Sequence, residues 1–164
     1  AYSQMQGFKP NLQSFDISGL AKDLIDAVKV DAVQKKITVY YESTPEVLAL
    51  GDLNMTSLVI RNLLNNAIKF TPTSGTIYVK ILDIPQKICV QIADSGVGIS
   101  NHQMEAFNFS SIQLGETTLG TNKEKGTGLG LTLCKTFAQM MNANLTVKPN
   151  TPNGAVFTFC LPKV

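Results

Sequence analysis

Three glycines at alternate positions, Gly126, Gly128 and Gly130, precede an amphipathic stretch in the segment GTGLGLTLCK. A glycine-rich loop that leads into a helix presents free backbone N–H groups and the positive end of the helix dipole, and both favour a bound phosphate. The spacing matches neither a Walker A loop nor a dinucleotide fingerprint, because the required Lys-Ser/Thr pair and the later acidic residue are missing. The loop alone therefore leaves two interpretations open: a phosphate site, or a hinge before a core helix.

A polar stripe runs along the segment MTSLVIRNLLNNAIKFT, where Asn62, Asn66 and Lys69 have helical spacing between two apolar lines. A buried amide without a partner costs about 1–3 kcal/mol, so such a stripe persists only where backbone, water or a ligand satisfies it. An asparagine carbonyl suits Mg²⁺, and a lysine at the end of the helix suits a phosphate. A solvated face on a half-exposed helix explains the same pattern, and the stripe does not decide between the two.

Asp94 ends a predicted strand in the segment VQIADSGVGIS and is followed by Gly96 and Gly98. A carboxylate in this position can accept a hydrogen bond from a ligand amine that lies against the bare glycine backbone. An Asx-turn with a glycine at positive φ is the alternative, and the segment taken alone favours that turn.

These candidate residues need a scaffold, and the pattern predicts three long helices among six or seven strands. We expect helices from an Ser18 N-cap to Lys35, from Asn54 to Phe70, and after the glycine loop. The third helix should place one set of apolar residues on one side: Leu129, Leu133, Phe137, Met140 and Met141. The predicted strands are SFDIS, ITVYYE, VLALG, TIYVKILDI, KICVQIAD, NLTVKP and GAVFTFCLP.

This order predicts one α/β (α+β) domain over residues 15–164, a two-layer sandwich in which three helices cover one face of a mixed β-sheet. Residues 1–14 are expected to form a linker. The polar segment from Ser100 to Gly126 is longer than an ordinary connection, which indicates a functional or mobile segment.

The composition excludes several classes of function. A net charge of +2, from 14 basic and 12 acidic side chains, argues against a nucleic-acid binder that uses a broad basic face. Three cysteines without CxxC spacing and the single histidine, His102, make a zinc site or a disulfide framework unexpected. We therefore expect reduced cysteines, packed as small apolar residues in a cytosolic setting. No apolar run approaches the roughly 20 residues that span a bilayer.

Together and in this order, the three motifs resemble the ATP-binding catalytic domain of sensor histidine kinases, which has the Bergerat-type fold shared with gyrase-type ATPases. NLLNNAIKFT is similar to the N box of that family, DSGVGIS to its first glycine box, GTGLGLTLCK to its second, and GAVFTFCLP to its closing strand. The resemblance covers nearly the whole chain from about Phe15 onward. Three ordered motifs are specific where each one alone is not.

The resemblance implies a role for each matching residue. Asn66 would hold Mg²⁺, Lys69 would contact phosphate, Phe70 would pack on the adenine and Asp94 would accept the adenine amine. The other ATP-binding residues implied come from the glycine boxes and the closing strand: Gly96, Gly98, Ile99, Gly126, Thr127, Gly128, Leu129, Gly130 and Thr158. Residues 100–125 would form the mobile ATP lid.

The resemblance also implies that Asn62 is a catalytic position, together with Asn66 and Lys69. Related ATPases carry a glutamate one turn before the metal-binding asparagine, and Asn62 occupies that position here. An amide cannot take a proton from water, so the resemblance implies weak hydrolysis and an ATP kept for another nucleophile. The implied activity is a protein-histidine kinase that donates the γ-phosphoryl group of Mg-ATP to a histidine. The alternatives are a stand-alone ATPase of the same fold and a degenerate nucleotide-binding interaction module.

The acceptor histidine would lie on an upstream dimerisation domain that this chain lacks, and YSQMQ resembles the end of its last helix. The fragment is then expected to be monomeric and inactive alone. Its expected partners are that dimerisation domain and, downstream, the receiver domain of a response regulator. The parent is expected to be a membrane-bound sensor with this part on its cytoplasmic side. His102 is assigned to the surface, and Phe107 and Phe109 are candidates for a phenylalanine box.

Overall fold

A computed structural model describes residues 9–42, 45–109 and 127–164, with the side chains of residues 127–129 left out of the description. The described part contains seven strands and four helices. In chain order they are β1 Gln13–Asp16, α1 Ile17–Gln34, β2 Thr38–Tyr41, β3 Leu48–Gly51, α2 Leu53–Phe70, β4 Thr76–Ile84, β5 Lys87–Asp94, α3 Asn101–Phe109, α4 Thr127–Met140, β6 Asn144–Pro149 and β7 Ala155–Pro162. The expected domain start at residue 15 falls inside β1.

Five strands form a mixed sheet in the order β2-β4-β5-β7-β6, in which β2 and β4 are parallel and the other pairs antiparallel. Strands β1 and β3 form a separate antiparallel pair. Because side chains alternate along a strand, Ile77 and Val79 are buried under helices while Tyr78 and Lys80 point to the open face. The expected two-layer sandwich with a mixed sheet is confirmed, with two of its seven strands in the smaller pair.

The core lies between the inner face of the sheet and helices α1, α2 and α4. Helix α2 is central because its long apolar side, which includes Val59, Leu63 and Leu64, is at most 1% exposed. Burial of each such side chain contributes about 1.5–3 kcal/mol. Phe159 of β7 is fully buried below it, so the position of α2 relative to the sheet is well determined. Within the described residues, no helix combines the length and apolar character needed to cross a membrane.

Two local expectations about the helices need correction. Helix α1 is capped by Asp16, whose carboxylate accepts from the Ser18 N–H at 3.1 Å and from the Val47 N–H at 3.1 Å, so Ser18 is not the cap. In α4 the fully buried residues are Leu131, Cys134 and Ala138, whereas the expected Phe137 and Met140 are only partly buried. Met141, directly after the helix, is buried as expected.

The start of the expected lid is helical. Helix α3 begins after Ser100, whose Oγ accepts from the Gln103 N–H at 3.1 Å, and it buries Met104 and Phe107 one turn apart. Two anchors in nine residues give too weak a period to be recognised in the sequence. The remainder of the expected lid, residues 110–125, lies outside the described residues.

The expectation of reduced cysteines is wrong for one pair. Cys89 and Cys160 stand opposite each other on β5 and β7 and form a disulfide. They are 71 residues apart in the chain, so only the strand register brings them together and their spacing carries no signal. Cys134 is free and packed as a small apolar residue, and burial raises the pKa of its thiol to about 12.

Candidate functional site

The position of the polar stripe follows from how α2 ends. The Thr71 hydroxyl donates to the Ala67 carbonyl at 2.6 Å, and Pro72 prevents a further turn. Lys35 of α1 donates to the Ile68 carbonyl at 2.9 Å, which satisfies one of the carbonyls left open at the helix end. The last turn of α2, including Lys69, is therefore held against α1.

Asn62, Asn66 and Lys69 lie along one side of α2, at the border of its buried face. Asn62 and Asn66 are half-buried and Lys69 is exposed. The Asn62 side-chain amide donates to the Leu58 carbonyl at 3.0 Å. The side-chain nitrogen of Asn66 is buried and has no hydrogen-bond partner among the described residues. A buried unpaired amide costs about 1–3 kcal/mol, so this atom marks a place where a polar ligand can bind.

Asp94 ends β5 and is only 5% exposed. Its Oδ1 accepts from the Gly96 N–H at 2.8 Å and from the Ala155 N–H at 3.2 Å. Burial raises the pKa of Asp94, and the hydrogen bonds from Gly96 and Ala155 offset only part of that effect. Oδ2 makes no hydrogen bond within the described residues and is left for an incoming donor.

The turn after Asp94 is tied to the end of α2. The Val97 N–H donates to the Phe70 carbonyl at 3.2 Å, and a Cβ on Gly96 would collide with that same carbonyl. Glycine is therefore required at position 96, because the two backbones touch there. Gly98 adopts a φ of 81°, which also favours glycine. The carboxylate and the polar stripe are thereby fixed side by side.

The first turn of α4 completes the arrangement. Residues 127–130 form that turn, and a Cβ on Gly130 would lie 3.3 Å from Oδ1 of Asn62. Helix α4 therefore begins beside the polar stripe, where its N-terminal N–H groups favour an anion. Gly126 lies outside the described residues. The three segments selected from the sequence meet at one place.

The segment NTPNG at residues 150–154 also belongs to the site, and the sequence analysis missed it. Asn150 donates to the Asp94 carbonyl at 2.9 Å, and Asn153 donates to the Ser95 and Gly96 carbonyls at 3.0 Å each. Gly154 has a φ of 111° and sits directly against the Asp94 carbonyl. The turn residues were a visible signal, but the carbonyls they bind depend on tertiary contacts.

Thr158 is a correction. It lies between Phe157 and Phe159, which are buried under the helices, so strand alternation turns Thr158 to the open face of the sheet. There its hydroxyl accepts from the Gln91 side chain at 3.4 Å. It cannot assist at the base, and the contact that β7 supplies to Asp94 is the backbone N–H of Ala155 instead.

The remaining candidates lie around this site. Ile99 is half-buried against the core. His102 is exposed, as expected. Phe107 is buried and packs edge-on against Phe157, with ring centroids 5.9 Å apart, whereas Phe109 is 84% exposed.

The raised pKa of Asp94 gives a prediction for stability. The folded state holds this proton more tightly than the unfolded state, so protonation adds stability that is complete below about pH 3.9 and is lost as pH rises through the folded pKa. We expect the free energy of unfolding of the natural protein to increase relative to Asp94→Asn as the pH falls from 7 to 4. Urea unfolding of both proteins measures this difference. A decrease on acidification would show that the carboxylate is stabilised as an anion.

Comparison with known proteins agrees with this geometry. Residues 51–164 match the family model described as "Histidine kinase-, DNA gyrase B-, and HSP90-like ATPase". The sensor histidine kinase TmoS of Ectopseudomonas mendocina is 32% identical over 148 residues, which cover 90% of this chain and 15% of TmoS. The chain spans between 15% and 39% of the lengths of the curated relatives it matches.

Two solved structures have the same fold. Full-length ShkA in complex with AMPPNP superposes with a TM-score of 0.79 at 24% identity, covering 96% of this chain and 32% of ShkA. The histidine kinase ThkA in complex with the response regulator protein TrrA superposes with a TM-score of 0.73 at 23% identity, covering 93% of this chain and 42% of that one.

Proposed function

Because this chain belongs to the family of histidine kinase-, DNA gyrase B- and HSP90-like ATPases, we propose that it is the ATP-binding catalytic domain of a sensor histidine kinase. It binds Mg-ATP and donates the γ-phosphoryl group to a histidine on a dimerisation domain of the same parent protein. The sensor kinase among its relatives, and the AMPPNP bound to ShkA, support this assignment.

The observation that carries the proposal is the buried, unpaired side-chain nitrogen of Asn66, on the helix that the turn after Asp94 and the first turn of α4 both contact. The described residues contain no group of three His, Cys, Asp or Glu side chains that could hold a metal. A metal held here would take its ligands from the Asn66 amide oxygen, phosphate oxygens and water, a set that Mg²⁺ accepts. Bound Mg²⁺ would supply charge neutralisation on the phosphates.

The adenine end is assigned to Asp94. Its Oδ2 accepts the adenine amine while Oδ1 stays on the backbone of Gly96 and Ala155. Gly96 and Gly98 leave room for the ring, and Phe70 and Ile99 supply half-buried apolar surface beside it. A hydrogen bond to a buried carboxylate contributes about 1.5–3 kcal/mol, which is enough to select an amine at that edge of the base.

The phosphate end is assigned to the segment from Gly126 to Gly130 and to Lys69. The first N–H groups of α4 point out of the helix end, and a lysine at the end of α2 adds a positive charge. Phosphoryl transfer depends mainly on positioning and on charge stabilisation, and these groups provide both. The nucleophile is left to come from outside the chain.

The role assigned to Asn62 gives a prediction. Its amide cannot accept a proton from water, so we expect Asn62→Glu to raise ATP hydrolysis by the chain alone about tenfold or more, toward the roughly 10²–10⁴-fold effect of a placed general base. Release of inorganic phosphate measures the rate. Asn62→Gln is the matched control and should stay at the level of the natural protein. Equal rates for the two variants would remove Asn62 from the reaction.

The metal role of Asn66 gives a second prediction. We expect Asn66→Asp to change the Mg²⁺ concentration needed for ATP binding and to lower transfer to a supplied acceptor domain at least about tenfold, because an added charge alters both the metal ligand and the phosphate contact. Asn65→Asp places the same charge on the exposed residue directly before Asn66 in α2 and should have little effect. Unchanged transfer by Asn66→Asp would contradict the metal role.

The direct test supplies ATP labelled on its γ-phosphate to this chain and the separately produced, histidine-bearing dimerisation domain of its parent. Label should appear on the acceptor only when both are present, with little free phosphate. Rapid phosphate release without the acceptor would favour a stand-alone ATPase. A folded chain that binds no ATP would favour a degenerate interaction module.

The partners and setting follow from the same assignment. We propose that the linker expected over residues 1–14, of which Gln13 and Ser14 belong to β1, leads from the dimerisation domain. We also propose that a response regulator receives the phosphoryl group downstream, a partner class found with ThkA. The domain would work on the cytoplasmic side of a membrane-bound parent.

A further inference from the structure

The open face of the sheet carries a second cleft, on the side of the sheet away from the helices. It has a volume of about 840 Å³, within the roughly 300–1,000 Å³ of small-molecule sites. The floor is formed by a row of residues that are paired across five strands, and the segment of residues 149–153 forms a wall. That row is Tyr40, Tyr78, Ala93, Val156 and Lys148.

One edge of the cleft is aromatic. Tyr40 and Tyr78 stack with ring centroids 4.8 Å apart and an angle of 14° between the rings, yet each remains 47% exposed. Ala93, the next residue in the row, is small enough to leave a shelf beside the tyrosines, and Val156 beyond it is only 6% exposed. A planar aromatic group can lie on this shelf with its edge against Tyr78.

The other features of the cleft are cationic. Lys80 follows Tyr78 on the same face of β4, and Lys148 ends the row on β6, about 14 Å from Tyr78 at ordinary strand spacing. Neither ammonium group has an ion pair or hydrogen bond among the described residues, and the cleft's exposed carboxylate is Glu42, which follows β2 at the tyrosine edge. In the parallel register of β2 and β4, Glu42 stands next to Lys80, so the uncompensated positive charge of the cleft lies at Lys148.

Polar groups between the two edges can orient a ligand. The Gln91 side chain lies beside Lys80 and donates weakly to Thr158, at 3.4 Å. Asn150 and Asn153 in the wall use their side-chain amides on the carbonyls of Asp94, Ser95 and Gly96, so the wall is fixed in place before any ligand arrives.

We propose that this cleft binds a planar aromatic acid of about two rings, with the ring system on the shelf beside Tyr78 and the anionic group at Lys148. A stacked tyrosine pair could by itself only support the pairing of β2 with β4. That role explains neither the unpaired Lys148 at the end of the same row nor the small Ala93 beside the tyrosines. The floor of the cleft lies on the opposite face of the sheet from the polar stripe of α2, and only the wall around Asn150 and Asn153 is shared with the nucleotide site. The proposal does not depend on the function proposed above.

The test is a titration of the ¹⁵N-labelled chain with 2-naphthoate, followed by amide chemical shifts, and compared with neutral 2-naphthamide. We expect saturable shifts at the amides of Tyr78, Ala93 and Lys148, and an affinity for the acid at least fivefold above that for the amide. Lys148→Gln should remove most of this difference, whereas Lys22→Gln on α1 should leave it unchanged. Tyr78→Thr, which keeps a strand-forming residue, should weaken both ligands at least fivefold.

Three results would overturn the proposal: no saturable shift, equal affinity for the acid and the amide, or shifts at Asn62 and Asn66 in place of the cleft. Thermal unfolding of each variant checks that it is folded. If Tyr78→Thr does not fold, the comparison of acid with amide in the natural chain and in Lys148→Gln still decides the outcome.

Discussion

Asp94→Asn is expected to weaken ATP binding by about 10- to 100-fold. Oδ1 of Asp94 is held by the N–H groups of Gly96 and Ala155, so an asparagine must keep its oxygen there and turn its NH₂ group toward the ligand. The adenine amine then meets a donor where it needs an acceptor. Loss of a hydrogen bond to a charged group costs about 1.5–3 kcal/mol, and about 1.4 kcal/mol corresponds to a factor of ten.

Calorimetric titration of Mg-ATP into both proteins measures the effect. Asp83→Asn is the matched control, because Asp83 is an exposed carboxylate at the far end of β4 that pairs with Lys163. We expect its affinity for ATP to equal that of the natural protein. An Asp94→Asn protein that is folded and binds within twofold of the natural one would remove Asp94 from the adenine site.

Gly154→Ala is expected to destabilise the domain by about 2–6 kcal/mol. At a φ of 111° any side chain is strained, which costs about 1–3 kcal/mol, and the added Cβ would collide with the Asp94 carbonyl. Relief by movement of the backbone adds an overpacking cost of about 1–3 kcal/mol. That movement separates the Ala155 N–H from Asp94, so ATP binding should fall together with stability.

Urea unfolding gives the stability change, and Gly130→Ala provides the comparison. Gly130 lies in α4, where alanine is favoured over glycine by up to about 1 kcal/mol, and its Cβ would meet only the side-chain end of Asn62, at 3.3 Å. Its stability should change by no more than about 1 kcal/mol. Similar stabilities for Gly154→Ala and the natural protein would show that the turn at residues 150–154 can rearrange freely.

The sequence predicted most of the fold because its signals are local. Helix α2 has a long apolar period and a stop at Thr71-Pro72, and β4 and β5 have strong alternation around Pro85. The candidate site was found from the order of three motifs along the chain, because the segments around Asn66 and Asp94, taken alone, each left a second interpretation open.

The errors arose where tertiary contacts decide. Thr158 was implied by the resemblance of GAVFTFCLP to the closing strand of the family. Side chains alternate along β7, however, and because Phe157 and Phe159 are buried under the helices, Thr158 lies on the open face. Ala155 contacts Asp94 through its backbone N–H, so the residue type at position 155 gives no sign of this contact in the sequence. Helix α3 has too few apolar anchors to show a period, and the cysteine pairing depends on strand register.

The link between β5 and β7 limits which changes in length the domain can accept. Cys89 and Cys160 face each other at one end of the strand pair, and Asp94 contacts Ala155 at the other, with equal numbers of residues between the two points on each strand. An insertion or deletion of one residue in either strand would shift one point by about 3.4 Å and reverse the faces of the side chains beyond it. Length variation in this family member is therefore confined to loops, unless both strands change together.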